Sequence, residues 1–109
     1  MAIESSINFK NLYCNQKLSK EEIFGLTSQI RRSFASIGYN ISEGSGRNSD
    51  KEFANFINIA LGSSNEAENQ LILAKDLDYI EENDYQNLLS GLTTLKKKLA
   101  TLWNRLNGN

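Results

Sequence analysis

The chain has 109 residues, a net charge of −1 at pH 7 and a pI near 5.4, so it is one domain with a single core and no polycation. The absence of histidine removes the commonest metal ligand and the commonest general base, and one cysteine, Cys14, leaves no intrachain disulfide. No apolar run approaches the ~18–20 residues of a membrane span, and the first residues lack the charged-then-apolar order of a signal peptide, so a reducing cytoplasm is the expected location.

The chain contains no proline, and leucine, isoleucine, alanine, lysine and glutamate recur at helical spacing, which predicts an all-α fold. The first element is a short amphipathic helix over about 2–14, with Ile3, Ile7, Phe9, Leu12 and Tyr13 on one face. Three turns are marginal alone in water, so this helix depends on packing. Cys14 reads as a small buried residue, since no histidine is present to activate a thiol.

Ser19-Lys20-Glu21-Glu22 has the form of a capping box and starts the second helix, over about 20–43. Its apolar stripe is Ile23, Leu26, Ile30, Phe34, Ile37 and Ile41, stepping by three and four as bundle helices do. Gly44 and Gly46 are expected to end it in left-handed conformations. Ser49-Asp50-Lys51-Glu52 is a second capping box, opening a helix over about 50–78. Phe53, Phe56, Ile57, Ala60, Ala67, Leu71, Ala74 and Leu77 form its stripe, interrupted by Gly62-Ser63-Ser64. After a turn at 79–83, the last helix covers about 82–106 through Tyr85, Leu88, Leu89, Leu92, Leu95, Leu99, Leu102, Trp103 and Leu106.

A turn centred near 46–47 makes facing residue numbers in the two long helices add to about 93. Ile37 then faces Phe56, Phe34 faces Ile59, Leu26 faces Ala67, and Ile30 faces Gly62 and Ser63. A mid-helix glycine costs about 1 kcal/mol relative to alanine, and a close helix–helix approach at Gly62 would offset it.

Charge is unevenly spread. Residues 49–81 carry seven acids against two lysines, whereas the other segments are mildly basic. Arg31, Arg32, Arg47 and Lys96-Lys97-Lys98 are the candidate nucleic-acid contacts, set against the plain reading of solvated charge on helix faces. Asn40, Glu43 and Arg47 read first as caps and loop braces, and second as an intersubunit or ligand contact. Gly44-Ser45-Gly46 follows a helix and lacks a Gly-Lys-Ser/Thr ending, which argues against a phosphate-cradling loop. No nucleophile–base pair or metal cluster is apparent, so no catalysis, cofactor or metal is expected.

The segment from Gly25 to Gly44, continuing through Gly46-Arg47, Lys51-Glu52-Phe53, Phe56-Ile57, Gly62-Ser63, Glu66 and Gln70-Leu71 to Leu77-Asp78-Tyr79-Ile80, resembles the 23S rRNA intervening-sequence protein family. The resemblance covers about residues 20–82 closely. It implies an antiparallel up-down-up-down left-handed four-helix bundle, ring-shaped homopentamers and no enzymatic activity. It also implies an association with ribosomal RNA genes, with direct RNA or DNA binding by a basic ring as the alternative. Asn40, Glu43, Gly44, Arg47, Gly62, Ser63 and Glu66 stand at positions of its signature and would be structural or interfacial. Two departures stand out: Gly38 occupies the place of a proline, allowing a bend there, and the first helix is short.

Overall fold

Ser49 sets the best-defined helix start. Its backbone is extended (φ −132°, ψ 151°), and its hydroxyl accepts the backbone N–H of Glu52 at 3.2 Å. The computed structural model describes residues 20–108. Among them are three helices: α1 (Lys20–Ser45), α2 (Asp50–Asp76) and α3 (Glu82–Leu106). The expected fold is therefore met as all-α, with three described helices rather than four. The helix expected over 2–14 and the cap at Ser19 lie outside the described residues, as does Cys14.

α1 and α3 both pack on α2, and their own backbones scarcely approach one another. The core gathers Ile23, Leu26, Ile30 and Ile37 of α1, Ile57, Ala60, Ala67, Leu71 and Ala74 of α2, and Tyr85, Leu92 and Leu99 of α3. The apparent break in the α2 stripe is no break. Ser64 is fully buried and donates its hydroxyl to the carbonyl of Ala60 at 2.8 Å, which completes the row 57, 60, 64, 67, 71, 74. This alternation of three and four keeps one seam of α2 facing inward along its length.

Several expectations about the α1–α2 hairpin need correction. α1 runs on through Ser45, and neither Gly44 nor Gly46 takes a left-handed conformation. The turn is instead tightened by the N–H of Gly46 bonding to Glu43 O and that of Arg47 to Gly44 O. The register also shifts. Ser33 meets Gln70, Ser36 meets Ser63, and Gly44 meets Phe53, so facing numbers add to about 100 rather than 93. The longer α1 moves the pivot of the hairpin toward α2. Gly62, expected at the point of closest approach, is consequently exposed, with open space where a Cβ would stand. Ile59 is likewise 51% exposed and does not face Phe34 across the core. Gly38 lies within the continuous helix and does not interrupt it.

α2 stops two residues short of the expected boundary. Asp78 takes a left-handed φ of 61°, its N–H bonds to Lys75 O at 3.0 Å, and the N–H of Tyr79 bonds to Ala74 O at 2.8 Å. This pair of bonds is a Schellman closure with aspartate where glycine is usual. It drops the Tyr79 ring into the core directly after the helix.

Candidate functional site: the outer seam of α1 and α2 and the basic face of α3

The α1–α2 contact is partly polar. Ser33 Oγ donates to Gln70 Oε1 at 2.8 Å, and the Ser36 and Ser63 hydroxyls meet at 2.8 Å. Asn40 Nδ2 donates to the carbonyl of Ser36 at 2.8 Å and to its hydroxyl at 3.1 Å. Asn40 is therefore a buried mid-helix residue and not a cap. It orients Ser36, and Ser36 reaches across to Ser63. Such directional bonds fix rotation and register between two helices more sharply than apolar contact does.

The hairpin end is held differently. An ideal Cβ on Gly44 would lie 2.7 Å from Phe53 Cδ1 and 2.8 Å from Phe56 Cβ, so only glycine fits. Arg47 reaches back to Glu43, Nη2 to Oε1 at 3.7 Å, and its guanidinium lies 4.8 Å from the centre of the Phe56 ring. The ion pair is exposed and adds little, whereas the cation–π contact covers the ring.

Outward from this seam lie two grooves. One, of about 330 Å³, is lined by Gln29, Arg32, Ser33, Ser36, Ser63, Glu66 and Gln70. The other, of about 390 Å³, is mostly apolar, with Gly25, Leu26, Leu73, Leu77 and Tyr79 beside Glu22 and Gln29. The Tyr79 hydroxyl has no hydrogen-bond partner among the described residues, and burial pushes its pKa above the ordinary tyrosine value, with the Glu22 carboxylate adding to the rise.

The candidate cations do not form one surface. Arg32 lines the polar groove on α1, and Arg47 caps the hairpin. Lys96 pairs with Glu68 of α2 at 3.5 Å. Lys97 and Lys98 instead line a recess of about 350 Å³ with Thr101, Leu102 and Arg105. Among the signature positions, Asn40 and Ser63 come together through Ser36, and Glu43, Gly44 and Arg47 share the hairpin end. Glu66 joins Ser63 in the polar groove, whereas Gly62 stands apart.

The sequence profile of the 23S rRNA-intervening sequence proteins matches residues 2–101. The chain belongs to this family. A solved structure similar to this chain is the crystal structure of a protein of unknown function from the S23 ribosomal protein family of Bacteroides thetaiotaomicron VPI-5482. It shares 34% identity with this chain, covers 87% of it and 83% of its own length, and superposes with a TM-score of 0.71. No match was found among curated proteins. Among the described residues of this 23S rRNA-intervening sequence protein, no helix is long and apolar enough to cross a membrane.

Sequence reasoning missed Ser33, Ser36 and Gln70 as seam residues and Arg105 as a basic one. The available signals were the spacing of Ser36 and Asn40 by four, of Ser63 and Gln70 by seven, and of Lys97 and Arg105 by eight, each of which returns to one helix face.

Proposed function

We propose that the protein is a non-enzymatic cytoplasmic scaffold that self-associates through the outer face of α1 and α2. The observation that carries this reading is a pair of seven-residue rows flanking the seam: Gly25, Arg32 and Tyr39 on α1, and Ile59, Glu66 and Leu73 on α2. Tyr39, Ile59 and Leu73 are 62%, 51% and 47% exposed. Exposed Tyr39 on α1, and Ile59 and Leu73 on α2 with Glu66 midway between them, give this solvent side apolar area that suits a second helix-packing surface. Between them Arg32 and Glu66 line one groove, and neither has an ion-pair partner among the described residues. A face with one cation, one anion and apolar ends is complementary to a second copy of itself.

The family resemblance points to a homopentameric ring as the assembly, with Asn40, Ser36 and Ser63 keeping the two rows in register behind the contact. The experiment is a mass measurement by light scattering or native mass spectrometry at micromolar concentration, with Ile59→Lys and Leu73→Lys beside the parent. The reading expects an oligomer that the two substitutions shift toward monomer. A parent protein that is monomeric at that concentration would sink it.

A further inference from the structure

α3 carries its acidic residues, Glu82 and Asp84, only in its first turn. From Tyr85 to Asn109 there are four basic residues and no acidic one. Lys96 is neutralised by Glu68. Lys97, Lys98 and Arg105 have no ion-pair partner among the described residues, and all three are exposed around the recess floored by Leu102. The negative end of the helix dipole accounts for Arg105, which sits in the last turn of α3. It does not account for Lys97 and Lys98, because that field fades within one turn and they lie about two turns further back.

We propose that this recess binds the phosphodiester backbone of a nucleic acid. The spacing suits a polyanion with a short repeat. Lys98 and Arg105 are seven residues apart, which is about 10.5 Å along the helix at ~1.5 Å per residue. A flexible single strand can bring successive phosphates to cations spread over this distance, as in basic grooves that track the backbone. Donors would be the two lysine ammonium groups and the Arg105 guanidinium. The Thr101 hydroxyl already donates to the carbonyl of Lys97 at 3.0 Å and so offers no free proton. Leu102 is the one apolar residue lining the recess, and its other apolar area is the carbon stems of polar and charged side chains, so no bulky apolar side chain is offered to a lipid bilayer, which favours a soluble polyanion. The site also stays open under self-association. α3 packs on α2 through the flank bearing Glu68, whereas the outer rows of α1 and α2 lie beside Ser63 and Gln70.

The test uses protein of measured mass and a fluorescent 20-nucleotide single strand, as RNA and as DNA of one sequence, titrated from 50 to 300 mM salt. Three contacts per chain predict a log–log slope of about −2 for each chain engaged on a single strand. Lys97→Gln, Lys98→Gln and Arg105→Gln should each reduce that slope by about 0.7 per engaged chain. The triple variant should lose most binding while keeping the parent's melting temperature, because all three side chains are exposed. RNA and DNA should bind within a few-fold of each other, since phosphate carries no sequence. Absence of binding at 50 mM salt overturns the proposal. So does binding that survives the triple substitution, or a preference above tenfold for one nucleic acid. These outcomes are independent of oligomer mass, so failure here and failure of the scaffold reading are distinguishable.

Discussion

Gly44 of α1 lies against the ring of Phe53 on α2, with space for a hydrogen atom and none for a methyl group. The hairpin closes because its last helical turn has no side chain there. Replacing Gly44 with alanine forces Phe53 and Phe56 aside, and overpacking of this kind costs about 1–3 kcal/mol. At roughly 4–8 °C per kcal/mol for a domain of this size, the melting temperature should fall by several degrees at least. Thermal denaturation followed by circular dichroism decides it, and an unchanged midpoint would count against the packing described.

Gly62 should behave in the opposite way. It is exposed in the middle of α2, and a Cβ there meets nothing within 4 Å. Alanine is about 1 kcal/mol better than glycine in a helix interior, so Gly62→Ala should raise the midpoint by several degrees. A fall would restore Gly62 as a point of close approach.

The Ser36–Ser63 contact is the third test. Single alanine substitutions at each position and the double variant form a thermodynamic cycle in urea. A coupling of about 0.5–1.5 kcal/mol is expected for a part-buried hydroxyl pair. Strict additivity would mean that the two hydroxyls do not sense one another.

Tyr79 provides a pH test. Its buried hydroxyl lacks a partner, so Tyr79→Phe removes a desolvation cost of about 1 kcal/mol and should leave the fold as stable or more so at neutral pH. The folded-state pKa is raised, so the unfolded chain loses this proton first as pH rises. Stability contributed by the neutral phenol is complete below about pH 10, the ordinary tyrosine value, and is lost as pH climbs toward the folded pKa. Melting curves between pH 8 and 11 should therefore diverge above about pH 10, with the parent falling faster than the phenylalanine variant. Parallel curves would refute the buried-phenol account.

Much of the fold was legible in the residues. The Ser49 cap and the three-and-four stripes place α1, α2 and α3 within two residues of their observed bounds, because caps and periodicity are local properties. Register was not legible. It depends on how far α1 continues past Ile41, and that is decided by Gly44 meeting Phe53, a contact between residues on two different helices. Nor could spacing alone distinguish a glycine that opens space from one that closes it. Gly44 and Gly62 have the same side chain and opposite surroundings. The polar seam is half visible: Asn40 and Ser63 stand at positions of the family signature, but nothing local marks Ser36 as the residue that joins them across two helices.

The position of α2 between its neighbours has a mechanical corollary. Its inward row is built largely of side chains without internal torsions to switch, namely Ala54, Ala60, Ala67 and Ala74, with Ser64 pinned to its own backbone. Along that row only Ile57 and Leu71 have rotamers to exchange, so it has few ways to repack. α2 therefore offers its two neighbours a shared face with little freedom to rearrange.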